Sequence, residues 1–314
     1  MKPKISIIIP LYNKEKHIKD TLDSVWFQSF SDFEVIVVND GSTDDSLKVI
    51  KSINESRLKL FNTKNQGVSA ARNYGISQAS ANLIAFLDAD DVWFNHHLQD
   101  LIDLHDEFPN CGMYCKAYDK KEGSIVIPSE FKNIPKSPWK GIVEDYFESS
   151  LVNSIAWTSA VMVPKSTFEK VGVFDTNITL GAGEDTDLWI RIALNFPVAF
   201  NSKVSALHQL HSDNRISNSN TNIRQFIDLD QYNNQADKNP SLKTYLDLNR
   251  FAIAIQYKLV ENYEKANMLT HKIDSKSLNK KQRFLLAQPT FLLRILFKIK
   301  QALKRLGIQL SSFR

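Results

Sequence analysis

The chain has 314 residues, of which 43% are hydrophobic and 11% aromatic, which is enough apolar material for a full-sized globular core. The net charge of +4 is uneven, because eight basic and no acidic residues lie from residue 281 onward, which leaves residues 1–280 with a net charge of −4. A negatively charged globular part argues against a nucleic-acid partner. No apolar stretch reaches the roughly 20 residues of a membrane-spanning helix.

The N-terminus and the cysteines bear on the compartment. The first apolar run ends at Leu11 without a small-residue cleavage site, so we interpret it as a strand and not as a signal peptide. The two cysteines, Cys111 and Cys115, are too few for a zinc site or a disulfide framework. Both features predict a cytoplasmic protein.

The first ninety residues alternate between strand and helix patterns. Short runs rich in β-branched residues predict strands over residues 5–10, 33–40, 58–62 and 83–91. Helical spacing predicts helices over residues 15–28, 43–53 and 69–79, with Ser42 as the N-cap of the second. Strands joined by single helices form right-handed crossovers and a parallel sheet covered on both faces. We therefore predict a mainly parallel α/β nucleotide-binding fold.

Polar clusters follow each predicted strand, at residues 10–13, 39–42, 64–65 and 88–91. In open α/β sheets, ligands bind beyond the carboxyl ends of the strands, so these clusters predict one binding edge. No GxGxxG or P-loop pattern is present, and a diphosphate would then need a metal ion. Asp88 and Asp90 would point to one side of an extended chain and Asp91 to the other. Carboxylates without His or Cys beside them suit Mg²⁺ or Mn²⁺.

Several ordered motifs together resemble family 2 glycosyltransferases of the GT-A fold. They are ISIIIPLYNKEKHIKDTLDSVWFQSFSDFEVIVVNDGSTDDS, NQGVSAARNYGISQA, LIAFLDADD, WTSAVMVPKSTFEKVGVFD, GEDTDLWIR and HSDNRIS. The resemblance spans about two-thirds of the chain. It implies a Rossmann-like central sheet flanked by helices, and inverting, metal-dependent transfer of a sugar from a nucleotide-diphosphate donor, with a UDP-sugar expected by analogy.

The resemblance also implies roles for individual residues. Asp185 matches the general base of the family, with Glu184 in support, because an in-line displacement requires the acceptor hydroxyl to lose its proton. The expected nucleotide-binding residues are Pro10, Tyr12, Asp40, Arg72 and Asp88, and the expected metal ligands are Asp90 and His211.

Some of these positions have a structural alternative. Asp40-Gly41-Ser42 is also ordinary turn chemistry, and acids at the start of a helix favour its macrodipole whatever the function. Asp187 and Arg191 have the i,i+4 spacing of a helical ion pair. Trp189 could form the floor of an acceptor site or belong to the core, and the same applies to Trp157.

The resemblance fades after about residue 218, which divides the chain into a GT-A domain at 1–218 and a helical extension at 219–314. Residues 289–310 combine apolar residues at helical spacing with Arg and Lys and no acid. This pattern predicts an amphipathic helix on the anionic inner face of the cell membrane. The alternative is a helix docked on the core of the protein itself.

Membrane attachment would favour a glycan or lipid-linked glycan acceptor in surface polysaccharide synthesis, such as lipopolysaccharide O-antigen, capsule or exopolysaccharide. A polyprenyl-phosphate glycosyltransferase is the nearest variant of this hypothesis. A sugar-1-phosphate nucleotidyltransferase would need a Gly-rich N-terminal signature, which PLYNKEKHI lacks. A non-catalytic nucleotide-sugar-binding scaffold would be expected to lack Asp90 or Asp185, and both are present.

Overall fold

A ten-stranded mixed sheet organises the protein. The structure, a computed structural model, describes residues 2–213, 219–305 and 312. The strand order is β3-β2-β1-β4-β9-β6-β10-β5, with β7 beside β6 and β8 beside β10. The strands are β1 (Ile5–Leu11), β2 (Phe33–Asp40), β3 (Leu58–Thr63), β4 (Leu83–Phe86), β5 (Val92–Trp93), β6 (Met113–Glu122), β7 (Ile125–Pro128), β8 (Lys140–Ile142), β9 (Val161–Pro164) and β10 (Val198–Gln209).

The N-terminal half forms the parallel part of the sheet. β1 pairs in parallel with β2 and β4, and β2 pairs in parallel with β3. Helices cover both faces, so β1 and β2 are buried almost throughout. Gly75 lets one of these helices approach the sheet, since a Cβ there would lie 2.5 Å from Cγ2 of Ile8. The four predicted strands are present, but the fourth ends at Phe86 and not at Asp91.

The second half makes the sheet mixed. β9 lies between β4 and β6 and is antiparallel to both, while β6 and β10 are parallel to each other. The predicted parallel arrangement therefore describes β1 to β4, and antiparallel strands extend the sheet beyond it.

The helices are α1 (Ile18–Trp26), α2 (Ser46–Lys51), α3 (Val68–Gln78), α4 (His97–Glu107), α5 (Tyr146–Ser149), α6 (Lys165–Val171), α7 (Glu184–Ala193), α8 (Asn233–Ala236), α9 (Pro240–Leu259), α10 (Tyr263–His271), α11 (Lys280–Ala287) and α12 (Thr290–Arg305). The three predicted N-terminal helices are confirmed as α1 to α3. The predicted N-cap Ser42 is wrong: α2 is preceded by Asp45, and the Ser42 hydroxyl instead accepts a hydrogen bond from the Asn13 backbone N–H at 3.1 Å.

The C-terminal region is helical, as predicted, and α9 is its centre. Tyr245 and Leu246 of α9 are buried in the same apolar cluster as β4, β6 and α7. Leu248 and Phe251 of α9 form a second cluster with Leu293 of α12. The domain boundary at 218 stays a prediction, and it falls, with the end of the HSDNRIS motif, outside the described residues.

Helix α12 confirms an amphipathic helix over much of residues 289–310. Leu306 and Leu310 of that prediction lie outside the described residues. In the part of the chain that the structure describes, no helix is both long and apolar enough to cross a membrane.

Candidate active site

The acidic residues after β4 lie in a turn and not in a strand. β4 ends at Phe86, and the backbone N–H of Asp91 donates to the carbonyl of Asp88 at 3.1 Å. The predicted extended geometry, with Asp88 and Asp90 on one side, is therefore wrong. This turn, residues 88–91, which we call the acidic turn, gives each of the three carboxylates a different set of partners.

Asp91 faces the protein interior. Its carboxylate accepts hydrogen bonds from the Ser159 hydroxyl at 2.6 Å and from the Gln209 backbone N–H at 3.0 Å. Burial, with the nearby charges of Asp90 and Asp88, raises the pKa of Asp91 well above its usual value. Asp91 thus connects the acidic turn to the end of β10.

Asp88 is one end of a chain of charged contacts. Arg72, on α3, donates from Nη2 to Oδ1 of Asp88 at 2.7 Å and from Nη1 to Oε1 of Glu184 at 3.3 Å. Arg72 and Glu184 are both buried, and Oε2 of Glu184 has no hydrogen-bond partner. Burial and the neighbouring Asp185 raise the pKa of Glu184, although Arg72 opposes the shift. The chain joins the acidic turn to the start of α7.

Asp90 contacts a lysine of the loop after β1. The Lys14 ammonium donates to Oδ2 of Asp90 at 2.8 Å and to the carbonyl of Asp213 at 2.6 Å. The Ser212 hydroxyl also donates to Asp90. The imidazole of His211 is largely exposed, and its Nε2 lies 3.5 Å from Oε1 of Glu122.

Three of the expected nucleotide-binding residues, Pro10, Tyr12 and Asp40, lie at the carboxyl ends of β1 and β2. Asp40 is buried and accepts hydrogen bonds from the backbone N–H groups of Gln66 at 3.0 Å and Gly67 at 2.8 Å. It lines a cavity of about 620 Å³ together with Tyr74 of α3. Pro10 is half-buried at the end of β1, and Tyr12 beyond it is exposed.

Helix α7 begins at Glu184 because of the glycine before it. Gly183 has a φ of 106°, and a Cβ there would lie 2.8 Å from Cγ2 of Ile227. Of the three acids in the first turn, Asp187 is structural: it pairs with Arg191 at 2.7 Å and accepts from the Tyr232 hydroxyl at 2.5 Å. The predicted i,i+4 pair is confirmed.

Asp185 lines a separate cleft, which we call the Asp185 cleft, with a volume of about 240 Å³. Its walls are residues 150–152, 154 and 156–157, the first two turns of α7, and one face of α9. Trp157 is half-buried in the wall, between the rings of Tyr118 at 4.5 Å and His208 at 5.0 Å. Trp189 is 1% exposed and packs on Phe86, so it belongs to the core and to the cleft wall at once.

The described residues contain no group of three or more His, Cys, Asp or Glu side chains arranged to hold a metal ion. A Mg²⁺ or Mn²⁺ ion usually binds through one or two carboxylates and completes its coordination with substrate phosphates and water. Asp90 fits that kind of site, because it is a hard oxygen ligand that already has a cation, Lys14, beside it.

Three functional candidates were missed by the sequence reasoning. Lys14 contacts Asp90, Ser212 contacts the same carboxylate, and Ser159 connects Asp91 to the backbone N–H of Asp88 at 3.1 Å. Lys14 carried a signal, since it lies in the loop after the first predicted strand. The two serines lie in the WTSAVMVPKSTFEKVGVFD and HSDNRIS motifs, but nothing local in those motifs indicates their partners.

Comparisons with known proteins establish the family of this chain. The sequence model of glycosyl transferase family 2 matches residues 6–172. An uncharacterized glycosyltransferase of Rickettsia bellii is 31% identical over 215 residues, which is 67% of this chain and 29% of that protein. The chain therefore spans about a third of the length of the first curated relatives it matches.

Solved structures confirm the fold. The crystal structure of S. aureus TarS 1-349 has a TM-score of 0.57 and 20% identity, covering 86% of this chain and 89% of that one. TarS 1-349 in complex with UDP-GlcNAc also gives a TM-score of 0.57, covering 89% of this chain and 78% of that one. The expected GT-A fold with a helical C-terminal region is confirmed. Since the family model covers more than half of the chain, the protein belongs to glycosyl transferase family 2.

Proposed function

We propose that the protein is an inverting, metal-dependent glycosyltransferase that moves a sugar from a UDP-sugar to a hydroxyl of a glycan or lipid-linked glycan. One observation carries this proposal. Arg72 forms ion pairs with both Asp88 and Glu184. These pairs connect the acidic turn, beside the expected nucleotide residues, to the start of α7, where Asp185 lines a separate cleft. Donor and acceptor sites would then face each other across α3 and α7.

The positions of Asp40, Arg72 and Asp90 support this proposal. Asp40 is fixed by two backbone N–H groups at the edge of a cavity large enough for a nucleoside, while Arg72 supplies positive charge near the diphosphate. Asp90 would hold Mg²⁺ or Mn²⁺, which would stabilise negative charge on the departing diphosphate as a Lewis acid. The TarS structures in complex with UDP-GlcNAc and with UDP support a uridine donor.

Asp185 supplies the proton acceptor. The acceptor hydroxyl oxygen forms a bond to the anomeric carbon while the bond to the diphosphate oxygen breaks, and the hydroxyl proton passes to the carboxylate of Asp185. Its Oδ1 accepts a hydrogen bond from the Thr186 backbone N–H at 2.7 Å, which fixes the carboxylate at the first turn of α7. Glu184 positions Arg72 and keeps it between the two sites.

Calorimetric titration with UDP, with and without Mn²⁺, tests the donor site. The unmodified protein, called the parent below, should bind UDP more tightly with Mn²⁺ than without it. Asp90→Ala should bind UDP with the same affinity in both conditions. Asp103→Ala on α4, an exposed acid whose contact is Gln99, is the control and should behave like the parent. Failure of the parent to bind UDP under either condition would overturn the proposal.

Asp185→Asn tests the base. Loss of general base catalysis typically costs 10²–10⁴-fold in rate, so release of UDP from a UDP-sugar with a sugar acceptor should fall by about that factor. UDP affinity should stay within about twofold of the parent. Unchanged turnover would remove Asp185 from the mechanism.

The proposed place of action is the inner surface of the cell membrane, in surface polysaccharide synthesis. Helix α12 docks on α9 through Leu293 and leaves Phe291, Ile295 and Ile299 exposed at a spacing of four residues. We call these three residues the α12 stripe. Lys298 is exposed on the same helix, which suits an anionic lipid surface. The docked and the membrane-bound alternatives thus concern different faces of one helix.

Sedimentation with phosphatidylcholine vesicles, with and without phosphatidylglycerol, tests the α12 stripe. A triple variant with Ser at Phe291, Ile295 and Ile299 should bind the anionic vesicles at least about 10³-fold more weakly, because burial of each apolar side chain contributes roughly 1.5–3 kcal/mol. Phe27→Ser with Ile223→Ser removes two exposed apolar side chains elsewhere and should leave binding unchanged. Equal losses in both variants would refute a specific role for the stripe.

A further inference from the structure

The Asp185 cleft is bounded on one side by the C-terminal helical region. Tyr245, Leu248, Asn249 and Ala252 of α9 line it. Their spacing of three, four and seven residues places them on one face of the helix. The cleft is therefore completed by residues outside the 6–172 match to the family.

The chemistry of the cleft suits a sugar ring. The half-buried indole ring of Trp157 and apolar side chains provide flat surfaces, while Asp185, Asn249 and the hydroxyl groups of Ser150 and Ser154 provide a few polar groups. Such a mixture is typical of small-molecule sites. The volume of about 240 Å³ equals about eight water molecules at roughly 30 Å³ each. That is room for one sugar ring and not for an oligosaccharide.

A buried donor in the wall also lacks a partner. Nε1 of Trp189 makes no hydrogen bond, although the side chain is 1% exposed. Buried N–H groups are nearly always paired, so Nε1 of Trp189 is an exception among the groups of the cleft wall. Beside it, the Tyr245 side chain lies close enough to Asp185 for that negative charge, together with burial, to raise the pKa of the phenol.

We infer that the Asp185 cleft binds one terminal sugar ring of the acceptor and that α9, through Tyr245, Asn249 and Ala252, selects which sugar enters. This inference rests on the proposed function, because it takes the cleft as the acceptor side of a glycosyl transfer. The helical region then determines acceptor specificity, while the nucleotide-binding half of the sheet determines the donor.

The probe is a panel of octyl β-glycosides of glucose, galactose, N-acetylglucosamine and N-acetylgalactosamine. Saturation-transfer NMR with the full chain and UDP present should detect binding of at least one member. Ala252→Trp, which fills the cleft, should weaken that binding by tenfold or more. Tyr245→Phe and Asn249→Ala, which remove single polar groups, should change the ratio of affinities between two glycosides by at least threefold.

Two controls keep the outcomes separate. Lys243→Trp places the same bulk on the opposite, exposed face of α9 and should not change glycoside binding. The affinity for UDP reports on folding and on the donor site in every variant. A parent that does not bind UDP refutes the proposed function. A parent that binds UDP but no glycoside, or glycoside binding that survives Ala252→Trp, overturns the acceptor cleft alone.

Discussion

Replacing Arg72 with Met should destabilise the protein more than any surface ion-pair mutation. Arg72 lies 2.7 Å from Asp88 and 3.3 Å from Glu184, and at an effective dielectric constant of about 20 these contacts correspond to about 6 and 5 kcal/mol of attraction. Most of that attraction offsets the cost of removing the charges from water. Breaking a buried pair from one side typically costs about 3–5 kcal/mol, because it leaves a buried charge without a partner.

The pH dependence gives this prediction a second signature. The folded-state pKa of Glu184 is already raised, and loss of Arg72 would raise it further. A carboxyl group with a raised folded-state pKa destabilises the fold when it is ionised, and protonation removes that penalty. The loss of stability in Arg72→Met should therefore be larger at pH 8 than at pH 5.5.

Urea unfolding of the parent, Arg72→Met and Arg72→Met/Glu184→Gln at both pH values measures these effects. The double variant should recover part of the loss at pH 8, because it removes the unpaired charge. Arg294→Met is the control, since Arg294 pairs with Glu261 at 3.0 Å on the surface and such pairs contribute about 0–1 kcal/mol. A loss under 1 kcal/mol in Arg72→Met at pH 8, or no recovery in the double variant, would refute the reasoning.

Three further predictions concern the sheet. Burial raises the pKa of Glu34, but hydrogen bonds, first that from Lys59, outweigh burial and lower the pKa to about 2. Glu34→Gln should therefore lower the free energy of unfolding, measured in urea at pH 7, by about 2 kcal/mol. The stabilisation by Glu34 is present above its unfolded-state pKa and disappears as the pH falls toward 2. An equal difference in the free energy of unfolding between the variant and the parent at pH 7 and at pH 2.5 would contradict this prediction. Gly75→Ala should cost about 1–3 kcal/mol because the new Cβ meets Ile8, and a neutral result by thermal unfolding would mean that α3 can shift. Burial lowers the pKa of Lys116 to about 8. Between pH 8 and the unfolded-state pKa of this lysine, the unfolded state binds more protons than the folded state, so the free energy of unfolding should rise with pH. Lys116→Met should lack that rise.

Local sequence was sufficient for the N-terminal half of the fold. The run FEVIVVND became β2 with the predicted bounds, because a strand buried on both faces must be apolar nearly throughout and therefore differs from the helices around it. The antiparallel insertion of β9 was not predictable in this way. Its pairing with β4 joins residues about eighty apart in sequence, and no local periodicity encodes such a partner.

The candidate site shows the same division between local and distant information. Asp40, Asp88 and Asp185 could be named because each lies in a motif that resembles family 2 glycosyltransferases, near the end of a strand or the start of a helix. The contact between Arg72 and Glu184 spans 112 residues and could not be inferred from either neighbourhood. The α9 wall of the Asp185 cleft lies where the family resemblance had already faded, so only the folded chain brings it to the site.

The acidic turn illustrates why a cluster of carboxylates does not by itself specify a metal. Three acids at the end of a strand are costly without a cation or hydrogen-bond donors beside them. In the fold, two of them have a cation from the chain itself, Arg72 for Asp88 and Lys14 for Asp90, and Asp91 has hydrogen-bond donors. These partners differ in how readily they can be exchanged. Arg72 is buried on α3 between two carboxylates, whereas Lys14 extends from a loop and its side chain retains some solvent exposure. Asp90 is therefore the carboxylate that can exchange its partner at the lowest cost, and this is the physical reason to place the proposed metal there.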